Sequence, residues 1–350
     1  MSISTKEARA HIEMVPRAGL GFFPTPLYKL EKMSKELGIN LFIKRDDFTG
    51  KNLFGGNKTR KLEFLIGKAI EGKCEYVFTY GATQSNHAMQ TIWSAVSNGL
   101  KPVVYLAAVV EPDEKDMRAN LLLDKIFDAE IHIVRLKNGE TFEEAEKRSF
   151  VLGAEHIKRL EKEGHKCMDI PMGGANDVGS AGYIAGMTEL CEQATVIGVD
   201  FDYLYHSTGS GGTMAGLVAG RNLLGMNTVI RSIAALDTGE KYVSNVTELA
   251  NGALDYLNFE PLVEEKDFNV DTGFYAPGYE RPSDGATEAI KMLAKNEGIL
   301  VDPVYSGKAL AGLIHDARTG KIQGGSNVVF LHTGGATALF AGKEILGGII

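Results

Sequence analysis

A chain of 350 residues, 44% hydrophobic and 23% charged, has the composition of a globular protein of about two domains, which excludes a disordered one. Its 37 basic residues against 45 acidic ones give a formal net charge of -8, which argues against a nucleic-acid scaffold while leaving room for a local basic pocket. Three scattered cysteines without a C-x-x-C pair, no H-E-x-x-H spacing and no apolar run near the roughly 20 residues of a membrane span predict a cytoplasmic protein with reduced, buried thiols, no metal and no membrane partner.

The opening MSISTKEARAHIEM has mixed charge and no apolar core, so it does not read as a signal peptide. FFPTPLYKL reads as a turn segment and LFIKRDDFTG as a short strand ending in charged residues. Then comes Gly55-Gly56-Asn57-Lys58-Thr59-Arg60-Lys61. Leu62, Leu65, Ile66 and Ala69 recur at helical spacing and predict an amphipathic helix from about 59 to 72, beginning just behind Lys58. An amine there stands near free N–H groups and a dipole that favour anions, and Lys58, Arg60 and Lys61 are candidates for one basic pocket.

Apolar, β-rich runs at 76–80, 102–107 and 131–135 then alternate with helical stretches at 87–98, 113–127 and 141–163. The rhythm resumes with strands at 166–170, 203–206, 229–235 and 328–332 and helices after Asn176, after Gly211 and near 287–296. Strand, helix, strand in this order predicts an α/β fold of two open, twisted, mostly parallel sheets flanked by helices. Residues 51–168 are expected to form a small inserted domain, residues 1–50 and 169–350 a large one, with a site in the cleft between them.

Three turns carry chemistry. Ser207-Thr208-Gly209-Ser210-Gly211-Gly212-Thr213 follows a strand and opens a helix, and its glycines let successive N–H groups converge on a phosphate. Met214 stands where a dinucleotide loop needs glycine, and Ala309 after Gly307-Lys308 breaks a Walker loop, so a small monophosphate fits better. In Gly81-Ala82-Thr83-Gln84-Ser85-Asn86-His87 the last four side chains either cap a helix or build a carboxylate pocket with its N–H groups. Thr333 in Leu331-His332-Thr333-Gly334-Gly335 is a hydroxyl at the carboxyl end of a strand, and Tyr279 and Tyr305 stand in Pro- and Gly-containing loops. A lysine behind Gly-Gly-Asn, a non-nucleotide phosphate loop and a carboxylate pocket together describe a pyridoxal 5'-phosphate enzyme.

GGNKTRKLEFL, QSNH, STGSGGT, DPVYSGKAL and LHTGGATALF, spread from about Pro24 to Ala341, resemble the D-cysteine desulfhydrase and 1-aminocyclopropane-1-carboxylate deaminase family, fold type II pyridoxal phosphate enzymes related to tryptophan synthase β. The resemblance implies a homodimer and gives each position a role. Lys58 binds the cofactor aldehyde, Lys61 and Gly209, Ser210, Gly211, Gly212 and Thr213 its phosphate, Asn86 its phenolic oxygen and Thr333 its ring nitrogen. Ser85 and His87, with Gln84 and Asn86 beside them, meet the substrate carboxylate, and Tyr279 and Tyr305 flank the reacting carbons.

The deaminase branch typically has glutamine, glutamate and leucine where this chain has His87, Ser306 and Thr333. A hydroxyl in place of a carboxylate at the ring nitrogen gives a weaker electron sink, suited to losing an α-proton and a good β leaving group nearly together. The expectation is therefore β-elimination from a small amino acid: D-cysteine first, L-cysteate second, with the ring-opening deaminase as the alternative. Lys58 takes the α-proton, and Tyr279 or Tyr305 protonates the leaving group. Met89 on a helix reads first as core filler, and relatives commonly have arginine at its position, so the lost cation bears on substrate choice. A cofactor-binding protein without turnover is the reading from another class, and the filled catalytic positions speak against it.

Overall fold

The computed structural model describes residues 2–108, 111–112 and 117–349. In the first part of the chain come α1 (Thr5–Glu13), β1 (Leu27–Lys29), α2 (Glu31–Leu37), β2 (Asn40–Lys44) and α3 (Asn57–Glu71). The middle holds β3 (Tyr76–Ala82), α4 (Asn86–Val96), β4 (Lys101–Ala107), α5 (Ala119–Ile126), β5 (Glu130–Val134), α6 (Phe142–Lys162) and β6 (Cys167–Asp169). Then follow α7 (Asp177–Ile197), β7 (Tyr203–Thr208), α8 (Gly212–Leu224), β8 (Val229–Ala234), α9 (Tyr242–Tyr256) and β9 (Val270–Asp271). The end holds α10 (Asp284–Glu297), α11 (Ser306–Arg318), β10 (Asn327–Leu331) and α12 (Lys343–Leu346).

The strands form two open sheets, a six-stranded one in the order β1-β2-β10-β7-β8-β9 and a four-stranded one in the order β5-β4-β3-β6. Every pairing is parallel except β1 with β2. Parallel strands need both faces covered, and alternate residues do this here. In β4, Val103 and Tyr105 pack with Leu160 of α6, whereas Val104 and Leu106 pack with Ile92 of α4 and Leu121 of α5. In β10, Val328 and Phe330 face the α10 and α11 side, while Val329 and Leu331 face the cluster built by α3, α7 and α8. No helix among the described residues is long and apolar enough to cross a membrane.

The structure corrects several expectations. The helix expected over 113–127 runs only over Ala119–Ile126, and residues 113–116 lie outside the described residues. α3 begins at Asn57, two residues early, and is buried nearly all round rather than on one stripe. All three cysteines are free but half-buried. Met89, by contrast, is core filler as a methionine on a helix is expected to be, 1% exposed in the main apolar core. α1, α2, α9 and α11 have no counterpart among the expected elements.

Candidate active site

The carboxyl ends of β3, β7 and β10 converge with the first turn of α3 on one cavity of about 370 Å³. Its walls include Lys58, Lys61, Ser85, Asn86, His87, Gly209, Ser210, Gly211, Thr213, Tyr279, Tyr305 and Thr333, residues expected from the sequence to share a site.

Lys58 lies in the first turn of α3, held by an antiparallel bridge between Gly56 and Gly334 and by the Asn57 N–H, which donates to Thr333 O at 3.0 Å. The approach requires glycine: a Cβ on Gly56 would lie 2.9 Å from Thr333 O and 2.7 Å from Gln90 Nε2. The only hydrogen bond of the Lys58 amine among the described residues is to Asn57 Oδ1, at 3.2 Å. Burial pushes its pKa down to about 8, opposed in part by the Asp302 carboxylate.

Lys61, 1% exposed, donates to Gly173 O at 2.9 Å, and burial together with Lys58 holds its amine well below the usual lysine range. The Gly209, Ser210 and Gly211 N–H groups have no partner among the described residues, and they lead into the open N-terminus of α8. A Cβ on Gly212 would meet Lys61 Nζ at 2.8 Å, so glycine there keeps the amine against the loop. Two buried amines, of which only Lys58 feels a carboxylate, Asp302, stand beside a nest of N–H groups, a setting that a phosphate dianion complements. A pyridoxal phosphate with its aldehyde at Lys58 fits this donor set.

The other expected contacts divide. Asn86 Oδ1 accepts from Asn120 Nδ2 at 2.8 Å and from Thr337 Oγ1 at 3.2 Å, which fixes the amide and leaves its NH₂ to donate into the cavity. Thr333 Oγ1 and Ser207 Oγ are 3.2 Å apart on the wall. Ser85 is the N-cap of α4, accepting from the Ala88 N–H at 3.2 Å, and also lines the cavity. His87 Nε2 bonds Thr79 Oγ1 at 2.8 Å, Nδ1 has no hydrogen-bond partner among the described residues, and burial, then Lys58 and Lys61, keeps the ring neutral.

Gln84 is not on the cavity wall. Its side chain donates to Arg118 O at 3.2 Å and accepts from the Asn120 N–H at 3.0 Å, starting α5 where residues 117–118 are not helical. Gly212 is behind the loop rather than on the surface, and Ser306 is fully buried, its hydroxyl donating to Asp302 Oδ1. Arg60 points out of the basic pocket altogether. Its guanidinium, 4% exposed, reaches Asp46 Oδ2 at 2.7 Å and Glu189 Oε1 at 2.9 Å, beside Lys44 and the Tyr183 hydroxyl.

Four acidic groups escaped the sequence reading. Asp302 is fully buried, accepts from the N–H groups of Val304, Tyr305 and Ser306, and has its pKa raised by burial. It opens the DPVYSG segment, where an acid before proline reads in sequence as a turn residue. Glu143, Glu146 and Asp237 line the cavity from α6 and the turn after β8. Glu143 is paired with Lys147, whereas the half-buried Glu146 carboxylate has no partner among the described residues and a pKa raised by burial. A charge on a long amphipathic helix gives no sign from spacing that it faces a site.

A fold of two mostly parallel sheets with a buried lysine and a nest of free N–H groups at their strand ends defines a cofactor-dependent enzyme. The chain belongs to the pyridoxal-phosphate dependent enzyme family, whose model matches residues 19–334. It is 37% identical to a putative 1-aminocyclopropane-1-carboxylate deaminase of Pyrococcus furiosus, covering 95% of both chains. It is 34% identical to a D-cysteine desulfhydrase of Serratia proteamaculans, covering 93% of this chain and 96% of that one. Among solved structures, an ACC deaminase homologue superimposes with a TM-score of 0.84 at 33% identity, over 95% of this chain and 96% of that one.

Proposed function

We propose that the chain is a β-elimination lyase for a small amino acid with a β leaving group, D-cysteine first, yielding pyruvate, ammonia and sulfide. The observation that carries this reading is one cavity in which a buried lysine amine shares the walls with two hydrogen-bonded tyrosines, Tyr279 and Tyr305, their hydroxyls 2.8 Å apart. Lys58 would hold the cofactor aldehyde, Lys61, Gly209, Ser210, Gly211 and Thr213 its phosphate, Asn86 its phenolic oxygen and Thr333 its ring nitrogen. The bound cofactor supplies the electron sink that makes the substrate α-proton acidic.

Lys58, whose pKa burial lowers to about 8, keeps a neutral fraction near neutrality that accepts that proton. Burial raises the pKa of both tyrosines, so the pair stays protonated and can deliver a proton to the departing sulfur. A neutral His87 offers shape rather than charge, which leaves Ser85 and the first N–H groups of α4 to hold the substrate carboxylate. The unpaired Glu146 favours a thiol over the sulfonate of L-cysteate, which it repels.

The second reading, a 1-aminocyclopropane-1-carboxylate deaminase giving 2-oxobutyrate, is favoured by the name of the 37% identical Pyrococcus furiosus relative. A screen of D-cysteine, L-cysteine, L-cysteate, D-serine and the cyclopropane amino acid, with pyruvate, 2-oxobutyrate, sulfide and sulfite measured, separates the two. Pyruvate with sulfide from D-cysteine supports elimination; 2-oxobutyrate as the main product overturns it. The same reading takes residues 51–168 as the small domain, the cleft as the active site, the cytoplasm as the location and a homodimer as the working assembly.

A further inference from the structure

We infer that Glu130, His132 and His156 form a site for a divalent transition-metal cation of the zinc class, joining edge strand β5 to helix α6. The site lies outside the cavity and does not depend on the proposed reaction. Glu130 and His132 are two residues apart on β5 and so share one face, and His156 comes to that face from α6. Glu130 Oε1 lies 2.8 Å from His132 Nε2 and 3.8 Å from His156 Nδ1, and the three candidate ligand atoms are all within 4.8 Å of one another.

Two ligands at about 2.1 Å from a tetrahedral zinc ion stand about 3.4 Å apart. The two spacings to Glu130, 2.8 and 3.8 Å, bracket that value, and the third lies within 4.8 Å, so side-chain rotation can complete the set. Two imidazoles and a carboxylate leave a fourth position for water, and Glu130, whose side chain is 49% exposed, gives the ion a path from solvent.

A solvated Glu–His pair is the ordinary explanation for Glu130 and His132. His156, buried on another element, is held by the Tyr105 hydroxyl at 3.1 Å from Nδ1, and that same nitrogen stands 3.8 Å from the Glu130 oxygen, which brings a second imidazole to the pair. Supporting groups are also in place. Tyr105, the register partner of His132 on β4, stacks on the His132 ring with centroids 4.4 Å and planes 9° apart, and its hydroxyl is 3.1 Å from His156 Nδ1. The stacking fixes the His132 ring, whereas the Tyr105 hydroxyl must turn away from His156 Nδ1 for that nitrogen to bind a cation. Because α6 carries Phe142, Glu143 and Glu146 into the cavity, a cation here braces a helix that walls the active site.

The test is zinc titration by calorimetry of the metal-stripped holoenzyme without free cofactor, with cobalt absorption and thermal unfolding as further readouts. One ion per chain with micromolar affinity is expected, weakened at least about 100-fold by His132→Ala or His156→Ala and about tenfold by Glu130→Gln. The thermal midpoint should rise with zinc in the wild type and not in the histidine variants, while their visible cofactor band reports that they fold. The half-exposed His132 guards against a folding defect in the buried His156 variant. Unchanged binding in His132→Ala, or binding abolished by Cys74→Ser with Cys167→Ser, overturns the site.

Discussion

The Tyr305 and Tyr279 hydroxyls share one hydrogen bond of 2.8 Å, with ring centroids 5.7 Å apart, so the two phenols form one proton-bearing unit on the cavity wall. One proton lies between the oxygens and the other is left for the cavity. Replacing either tyrosine by phenylalanine should lower kcat for elimination by about 10²–10⁴. The double variant should cost little more than the worse single one, because members of a unit are not additive. Steady-state kinetics with D-cysteine checks this, and fully additive losses would show that the tyrosines act separately.

Lys58 should govern cofactor capture. The neutral amine is the nucleophile, and its pKa is pushed from 10.5 to about 8 by burial. In protein stripped of cofactor, the rate of pyridoxal phosphate uptake should therefore rise about tenfold per pH unit well below 8 and level off above it. Stopped-flow absorbance at the visible band measures it. Lys58→Ala should show no such band and no borohydride-reducible linkage, and a colour that survives this substitution would remove Lys58 from its role.

The Arg60 network anchors the helix that carries Lys58. Arg60, with Lys44 and the Tyr183 hydroxyl, holds Asp46 down from 3.8 to about 2 against the effect of burial. A carboxylate with a depressed folded-state pKa stabilises the fold above its unfolded value, and that share is lost as pH falls through about 4 toward 2. The two values in this case correspond to about 2 kcal/mol. Arg60→Met removes the ion-pair partner of buried Asp46, leaves Glu189 to Lys44 alone, and should cost about 3–5 kcal/mol near neutrality, with a flatter loss of stability into acid. Urea midpoints from pH 7 to 3 give both quantities.

Glu146 should act as a charge filter. Glu146→Gln removes one unpaired negative charge from the cavity wall and should leave KM for D-cysteine about unchanged. For L-cysteate, KM should fall about fivefold, the equivalent of about 1 kcal/mol between like charges in a partly solvated cavity. Equal shifts for both substrates would mean that the carboxylate shapes the cavity without reading charge.

The sequence by itself determined the parallel α/β architecture, since β-rich runs such as 102–107 alternating with helices leave few other packings. It also marked Lys58, the phosphate loop, Thr333 and the two tyrosines, because Gly-Gly before a lysine and repeated glycine after a strand are local signals of close backbone approach. What only the tertiary structure decided is the direction in which each side chain points. Gln84 and Asn86 are two residues apart, yet one caps α5 and the other faces the cavity. Arg60 and Lys61 are adjacent on α3, and the 100° between neighbouring helical positions sends one into an ion network and the other to the phosphate nest. The acids Asp302 and Glu146 meet the site from segments far along the chain, and such long-range meetings leave no periodic trace in the sequence.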